Sequence, residues 1–152
     1  MATSVGPVAG TKLYIGTTET IASPDDWVEI GNISSLGDIS QQFSGITVES
    51  IGSGDSYDLK GVRKYANFDI VLNRDDDDVG QIALKAAAAA TRGSYYNFRL
   101  LEADGGATTQ ASVVWTGEVF GYGPSYGSNS SIKQVKTSIS IVPSSVTFTL
   151  GT

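Results

Sequence analysis

The sequence predicts a globular, mainly β chain of antiparallel strands, interrupted by one α-helix at about residues 77–92. Apolar and polar residues alternate in several segments, which is the pattern of strands that are buried on one face. The 152 residues include 18 glycines but only 4 prolines, a composition that suits many tight turns. A single segment, alanine-rich and opening on aspartates, has the apolar spacing of a helix.

Three strands are predicted before the helix, at residues 11–17, 27–33 and 61–73. In the first, Leu13 and Ile15 share a face, and the second ends at a Gly31–Asn32 turn signal. The third shows the clearest alternation. Its predicted buried face consists of Val62, Ala66, Phe68, Ile70 and Leu72.

The helix prediction depends mainly on the two ends of the segment. Four aspartates, Asp75 to Asp78, provide an N-cap and negative charge near the positive end of the helix dipole. Gly93 follows the segment as a residue that tolerates positive φ. The apolar stripe predicted to pack on a sheet consists of Val79, Ile82, Ala83, Ala86 and Ala90.

Four further strands are predicted after the helix, at residues 95–103, 112–122, 132–142 and 146–150. Glycine-containing turns at residues 105–106 and 127–129 separate them. In the strand at 132–142, one predicted face consists of Val135, Thr137, Ile139 and Ile141. The opposite face is small, polar and almost uncharged, and consists of Gln134, Lys136, Ser138 and Ser140.

Residues 33–61 and the two termini show no regular pattern. The first stretch is rich in glycine and serine, and such a long connection is uncommon in one domain unless it has a function or orders on binding. Residues 1–10 are predicted to be an N-terminal arm, and residues 151–152 a short tail. Because the sequence contains no repeat and no linker, residues 1–152 are interpreted as one domain.

The composition excludes most enzyme mechanisms. Cysteine and histidine are absent, which removes thiol nucleophiles, disulfides, the commonest general base and the commonest metal ligand. The net charge of −6 opposes tight phosphate binding, so a nucleic-acid-binding role is not expected. No apolar run reaches the roughly 20 residues of a membrane helix, and the amino terminus lacks a signal-peptide pattern. We therefore expect no catalysis, no cofactor, no metal and no membrane.

Several local motifs match a functional pattern only in part. A calcium loop starting at Asp75 would place Val79 and Ala86 at two ligand positions, where neither can bind the ion. Ser130 and Lys133 have Ser-x-x-Lys spacing, but across a turn and a strand their side chains point apart. Residues 52–57 and 121–126 lack the third glycine of a dinucleotide-binding fingerprint.

Two arrangements of side chains stay open. Glu102 and Glu118 lie on neighbouring predicted strands and could supply the carboxylate pair of a glycosidase, although charged strand residues more often form a solvated face. Four tyrosines could form a stacking platform for a carbohydrate, although cross-strand packing or a subunit interface is the commoner use. These are Tyr95, Tyr96, Tyr122 and Tyr126.

The order and spacing of the segments resemble the tail tube (major tail) proteins of long-tailed bacteriophages. The matching features are the strand at residues 27–33, the long connection after it, the strand at residues 65–72 and the helical segment at residues 77–87. A strand-rich tail with many threonines and serines completes the similarity, which covers nearly the full chain.

That resemblance implies a β-sandwich or partial barrel with one flanking helix, assembled as stacked hexameric rings around a continuous inner β-barrel. DNA would leave the virion through this tube without tight binding, and other tail proteins (tape measure, tail tip and terminator) would be partners. The protein would be assembled in the bacterial host cytoplasm and would reside in the virion tail. Residues 52–63 would contact a neighbouring ring, with the candidates Gly52, Ser53, Gly54, Asp55, Tyr57, Leu59, Lys60 and Arg63.

The charge pattern is compatible with a DNA conduit. Six subunits at −6 give 6 × −6 = −36 per ring, which repels a polyanion, and the wall of such a duct should lack basic phosphate contacts. The candidate lumen-facing residues are Gln134, Lys136, Ser138 and Ser140, of which Lys136 is the exception to the pattern. Two other functions stay open, the inner tube of a contractile tail or secretion machine and a monomeric carbohydrate-binding β-sandwich that uses the tyrosines.

Overall fold

The computed structural model describes residues 8–16, 27–103 and 110–150, and these contain eleven β-strands and one α-helix. The strands are β1 (Lys12–Gly16), β2 (Trp27–Ile30), β3 (Ile33–Ser35), β4 (Gln41–Glu49), β5 (Ser56–Tyr65), β6 (Phe68–Asn73), β7 (Tyr96–Leu101), β8 (Ser112–Gly117), β9 (Val119–Ser125), β10 (Gln134–Ile139) and β11 (Thr147–Thr149). Helix α1 spans Val79–Ala89, and a short 3-10 helix covers Pro143–Ser145.

Two antiparallel sheets form the body of the molecule. The first sheet has five strands in the order β11-β8-β7-β1-β2, and the second has four in the order β3-β6-β10-β9. Strands β4 and β5 pair with each other as a separate hairpin. The predicted mainly β fold with one flanking helix is therefore confirmed. The described residues of the single subunit close no barrel.

The hydrophobic core lies between the two sheets. Trp115 of the first sheet contacts Phe98 of the same sheet and Phe68 of the second, with ring centroids 5.7 and 5.2 Å apart. The predicted inner face of β10 is confirmed, because its alternate residues from Val135 to Ile139 are buried and Ile141 continues the series. Each large apolar side chain buried here contributes about 1.5–3 kcal/mol relative to its exposure to water.

One corner connects the two sheets. Strand β8 of the first sheet continues into β9 of the second with only Glu118 between them. The backbone N–H of Val142 donates to the Thr116 carbonyl and that of Ser140 to the Glu118 carbonyl, both at 2.9 Å. A methyl group on Gly117 would overlap the Ser140 carbonyl oxygen, so the close approach requires glycine. The prediction of one continuous strand at residues 112–122 is therefore wrong.

Two other predicted strands are also divided between the sheets. The segment at 27–33 forms β2 and β3, separated by a turn in which Asn32 adopts a φ of 60°. The segment at 61–73 contains the end of β5 and the whole of β6, with a break between Tyr65 and Phe68. The predicted buried face of this segment is confirmed for Phe68, Ile70 and Leu72 but wrong for Val62 and Ala66, which are exposed. The alternation changes phase because the chain leaves one sheet for another.

Helix α1 packs beside β2 and β9, and the predicted N-cap from the aspartate run is confirmed. Asp78 is its N-cap, and the Asp78 carboxylate accepts a hydrogen bond from the backbone N–H of Gln81 at 3.0 Å. The helix is shorter than the predicted 77–92. Gly93 has a φ of 91°, as its position suggested, but it lies in the turn that follows the helix.

The buried face of α1 is not the predicted stripe. Val79 and Ile82 are 65% and 54% exposed, and Ala86 is exposed as well. The helix instead turns Gly80, Gln81, Leu84 and Ala87 inward. A methyl group on Gly80 would overlap the Glu29 carbonyl oxygen, so the backbone of the helix approaches β2 directly. Glycine and a buried glutamine replace the apolar side chains by which such a face is usually recognised.

The remaining strand predictions are confirmed with shorter bounds. Segments 11–17, 95–103, 132–142 and 146–150 correspond to β1, β7, β10 and β11. The turn at 127–129 is found between β9 and β10, with a φ of 67° at Gly127. The turn at 105–106, residues 1–7 of the arm and the tail at 151–152 lie outside the described residues. Within the described ranges, α1 is the longest helix and is too short to cross a membrane.

Candidate assembly surfaces

The segment at residues 33–61, predicted to be irregular, contains β3 and most of a long hairpin. Strands β4 and β5 pair in antiparallel register from Gln41 opposite Tyr65 to Glu49 opposite Ser56. Nine residues of extended strand span about 30 Å. A register shift between Phe43 and Gly45 interrupts the ladder, and this irregularity conceals the strand pattern in the sequence.

The first four residues of the candidate inter-ring set form the turn at the tip of the hairpin. The backbone N–H of Gly54 donates to the Ser50 carbonyl at 2.9 Å, and that of Ser50 donates to the Asp55 carbonyl at 3.0 Å. Gly54 has a φ of 69°, which favours glycine. The four residues are exposed, and they are Gly52, Ser53, Gly54 and Asp55.

The outer half of the hairpin has one apolar and one polar face. Cross-strand partners of an antiparallel pair share a face. Ile46 lies opposite Leu59, and Val48 lies opposite Tyr57, so these four side chains form one apolar patch. Ile46, Tyr57 and Leu59 are between 49% and 56% exposed. Thr47 lies on the other face, where its hydroxyl donates to the Asp58 carboxylate at 2.9 Å.

The base of the hairpin carries three basic residues. Lys60 and Arg63 lie on the polar face, and the Lys60 ammonium stands 5.1 Å from the centre of the Phe43 ring. Lys64 lies opposite Gln42, on the same face as the apolar patch. An isolated two-stranded hairpin is marginally stable in water, and exposed apolar patches commonly mark interaction sites. This hairpin therefore has the properties of a docking element.

The outer face of the second sheet is nearly neutral and includes the exposed aromatic side chain of Phe120. Lys136 lies between Val71 and Gly123, and Ser138 lies between Asp69 and Gly121. These residues line a shallow groove of about 540 Å³. On the described strands β6, β9 and β10, the outward charges of this face are those of Asp69 and Lys136, which cancel.

Three of the four candidate lumen-facing residues lie on this outer face. Gln134, Lys136 and Ser138 alternate with the buried residues of β10. Ser140 lies beyond the strand, at the corner between the sheets, where its hydroxyl accepts a hydrogen bond from the Glu118 N–H at 2.9 Å. Its position makes Ser140 part of the corner rather than of the continuous polar face.

The outer face of the first sheet has a different chemistry. The Arg99 guanidinium carbon lies 4.5 Å from the centre of the Tyr14 ring and 5.0 Å from that of Trp27. Such stacking places a permanent positive charge between two aromatic side chains. Arginine and aromatic side chains are the groups that bind phosphates and stacked bases. Within the described ranges, no such stacked arginine lies on the outer face of the second sheet.

The acidic segment before α1 is a structural turn. Asp78 caps the helix and also accepts a hydrogen bond from the Gly31 N–H at 3.1 Å, whereas Asp75 accepts one from the Asn32 side-chain amide at 3.1 Å. Asp76 pairs with Arg74 at 2.9 Å. Because the carboxylates bond to different groups, they do not converge. No group of three acidic residues in the described ranges could hold a metal ion.

Sequence reasoning missed the residue that holds this turn together. Gln81 is 1% exposed, and its side-chain amide donates to the Gly31 carbonyl at 3.1 Å and to the Asn73 carbonyl at 2.9 Å. Its carbonyl oxygen accepts a hydrogen bond from the Asp75 N–H at 3.0 Å. One side chain therefore connects the helix, the turn after β2, the end of β6 and the acidic segment.

The two carboxylates considered for catalysis lie far apart. Glu102 follows Leu101 at one end of the β7–β8 ladder, and Glu118 follows Gly117 at the other end. The seven intervening residue steps correspond to roughly 23 Å, beyond the roughly 5–10 Å separation that a glycosidase requires. Glu118 also accepts a hydrogen bond from the Gly93 N–H at 2.5 Å. These residues do not form a catalytic pair.

The four tyrosines do not form a common platform. Tyr96 belongs to the first sheet and Tyr122 to the second, where Tyr122 lies opposite the buried Thr137 on the inner face. Burial raises the pKa of the Tyr122 phenol, in agreement with this inward position. Tyr126 accepts a long hydrogen bond of 3.4 Å from Arg74. A carbohydrate-stacking site built from all four residues is therefore not supported.

Comparison with solved structures identifies the fold. A chain of the PVC sheath-tube complex of an extracellular contractile injection system superposes with a TM-score of 0.71 at 10% sequence identity, over 96% of this chain and 92% of that one. The SPP1 tail tube matches with a TM-score of 0.67 at 12% identity, over 96% of this chain and 80% of that one. This chain has the tail-tube fold. The resemblance inferred from the sequence is thereby confirmed at the level of the fold.

The fold also matches a chain from a tube terminator. A chain of the PVC sheath/tube terminator matches with a TM-score of 0.70 at 12% identity, over 95% of this chain and 96% of that one. Neither a protein-family model nor a curated protein matches the chain. Because the similarity covers nearly the whole of each terminator and sheath-tube chain, the tail-tube fold accounts for the full described molecule.

Proposed function

We propose that this chain is a structural subunit that assembles into stacked hexameric rings and so forms a hollow phage tail tube. DNA passes through this tube from the virion into the bacterial host, and the other tail proteins (tape measure, tail tip and terminator) are its partners. The subunit performs no catalysis. The observation that carries the proposal is the tail-tube fold over 95–96% of the chain.

The hairpin supports a role in assembly. Its apolar patch is exposed to water in the single subunit. Contact with a second surface would bury the patch, which is favourable for apolar side chains. The proposal assigns the contact between rings to this element, including the candidate residues at its tip and Tyr57, Leu59, Lys60 and Arg63 on β5. Strands β9 and β3 are the edges of the second sheet, and ring closure would pair such edges between neighbours.

The outer face of the second sheet supports a role as the wall of the conduit. Serine, glycine and a balanced pair of charges offer little to phosphate groups, whereas the first sheet holds a half-buried arginine stacked between two aromatic rings. The overall charge of −6 per subunit adds a repulsive field inside a ring. In this proposal Gln134, Lys136 and Ser138 face the lumen, and Ser140 stabilises the corner beside it.

A second candidate is the inner tube of a contractile machine. The structures of the PVC sheath-tube complex and of the PVC sheath/tube terminator favour it, because both come from an extracellular contractile injection system. This candidate differs by a sheath that surrounds the tube. Copurification of a sheath protein with tubes isolated from virions would select it, and bare tubes in intact virions would select the non-contractile tail.

Sedimentation of the full chain against a hairpin-free variant tests the proposed function. Gln41 and Tyr65 are cross-strand partners, so residues 42–64 can be replaced by the two-residue turn Asn-Gly without moving the body. The full chain should pellet as long particles at high concentration, and the variant should remain a folded monomer. Equal pelleting of both proteins would contradict the assembly role of the hairpin.

A sugar titration tests the alternative of a monomeric carbohydrate-binding β-sandwich. A saturable change in the fluorescence of dilute protein would favour that alternative.

A further inference from the structure

We propose that the exposed face of helix α1 in one subunit receives the apolar patch of the β4–β5 hairpin from a second copy of the chain. The inference rests on the proposed function and deepens it, because it names the two surfaces that meet between subunits. It is carried by the exposed apolar residues of both surfaces, by the order of large and small residues along them, and by their opposite charges.

The helix face is apolar although it faces water. Val79, Ile82, Ala86 and Ala89 recur at the spacing of one helical stripe, and all four are exposed. Val79 and Ile82 are two of the large apolar residues exposed on the described surface. The buried residues of α1 lie on the opposite side of the helix. Because the solvent side of a surface helix is normally polar, this stripe has the composition of a contact face.

The hairpin presents its residues in four rows from tip to base. The rows are Val48 with Tyr57, Ile46 with Leu59, Ser44 opposite Gly61 and Val62 at the register shift, and Gln42 with Lys64. Two large apolar rows are therefore followed by the row at the register shift, where Val62 is exposed, and then by one basic row.

The helix presents a matching order. The acidic turn at Asp77 precedes the helix, whose large Val79 and Ile82 are followed by the small Ala86 and Ala89. With Lys64 placed at Asp77, the large apolar rows of the hairpin rest on the two alanines.

The spacings agree along both elements. From Gln42 to Ile46 the four strand residues advance about 14 Å. The two steps from Asp77 to Val79 precede the helix and advance at most about 7 Å, and the seven helical steps from Val79 to Ala86 advance about 11 Å. The apolar rows of the hairpin and the alanines of the helix therefore lie at comparable distances from the charged ends.

The charges at the ends of the two surfaces are opposite. Among the described residues, the only ion pair joins Arg74 to Asp76, so Lys64 and Asp77 lack ionic partners there. A contact between copies would bring this lysine and this aspartate together at the edge of the apolar interface. Peripheral charges of this kind fix orientation more than they add affinity.

One copy does not make this contact within itself. Among the described elements, α1 packs against β1, β2 and β9, whereas the hairpin reaches the 3-10 helix. Each copy therefore keeps both a hairpin and a receiving helix. Contacts between two different surfaces repeat from copy to copy and generate rings or filaments. The proposed contact has this heterologous character.

Engineered disulfides test the contact directly, because the chain contains no cysteine of its own. Two variants, Leu59→Cys and Ala86→Cys, are mixed under assembly conditions and oxidised, with a mass tag on one of them. A disulfide requires Cβ atoms about 4 Å apart, so a mixed covalent dimer reports close approach of the two positions. The matched control is Asp58→Cys with Ala86→Cys, since Asp58 lies on the opposite face of the same strand.

The expected result is a mixed dimer from Leu59→Cys with Ala86→Cys and its loss in the control. Lys64→Asp should weaken pelleting, and Asp77→Lys in the same chain should restore it. Tubes without the mixed dimer would overturn this contact and leave the proposed function intact. The mixed dimer without tubes would support the contact and contradict the proposed function. Absence of both would overturn the two together.

Discussion

Replacement of Gln81 by leucine tests the hydrogen-bond network that holds the helix, the turn after β2 and the acidic segment together. Leucine has a similar volume but offers no polar atom. The substitution removes two hydrogen bonds donated by the side-chain amide and one accepted by its carbonyl oxygen. The Gly31 and Asn73 carbonyls and the Asp75 N–H then lose a hydrogen-bond partner. The site is buried, since Gln81 is 1% exposed.

The expected loss in the free energy of unfolding follows from these three bonds. At about 1 kcal/mol for each hydrogen bond, Gln81→Leu should lower the stability by about 3 kcal/mol. For a chain of this length the melting temperature should fall by about 6–12 °C. Urea unfolding of dilute protein, followed by circular dichroism, measures the change with the full chain in its monomeric form.

The matched control is Gln134→Leu on the polar face of β10. Its amide makes one long hydrogen bond of 3.4 Å to Asn73, so the stability should change by no more than about 0.5 kcal/mol. A Gln81→Leu protein within about 0.5 kcal/mol of the unmodified chain would refute the reasoning. That result would mean that water or a small movement satisfies the three backbone groups.

Three further predictions concern the corner, the ion pair and the hairpin. Gly117→Ala should destabilise the chain by about 3 kcal/mol or more in urea unfolding, because the added methyl group meets backbone at the corner. Gly121→Ala, where the Cβ meets open space, should change stability by about 0.5 kcal/mol or less, and equal losses would contradict the corner geometry. The hydrogen bond from Arg74 lowers the pKa of Asp76, so the pair stabilises the fold above the ordinary aspartate pKa and loses this effect as the pH falls through the lowered value. Arg74→Gln should raise the pKa of Asp76 in an NMR titration, and an unchanged value would exclude the pair in solution. Replacing residues 42–64 by Asn-Gly should leave the thermal melting of the body nearly unchanged, since this segment buries few side chains; a melt without a cooperative transition would show that the hairpin supports the core.

The features that were predicted correctly from the sequence are those that depend only on residues close together in the chain. The N-cap at Asp78, the alternation in β10 and the buried Leu13 and Ile15 all follow from neighbouring residues. The sequence could not predict where a strand leaves one sheet for the other. At Glu118 the backbone stays extended while the neighbouring strands to which it is hydrogen-bonded change. The alternation of apolar and polar residues does not show this change of sheet.

The candidate surfaces were predictable only in part. Tyr57 and Leu59 were identified in a segment expected to lack regular structure, but their partners Val48 and Ile46 were not. The period-two spacing of these two pairs was the available signal, and the irregularity near Gly45 obscured it. The prediction of the buried side of α1 was wrong because Gly80 and Gln81 face inward in place of large apolar residues. Gly80 lies close to the backbone of β2, and Gln81 is hydrogen-bonded.

Negative-stain electron microscopy of the purified chain across a series of concentrations and salt levels tests the central claim most directly. The tail-tube account predicts hollow tubes of uniform width, built from stacked rings, at high protein concentration. Their formation should weaken in the variant that lacks residues 42–64. Single compact particles at every concentration and salt level would contradict the account.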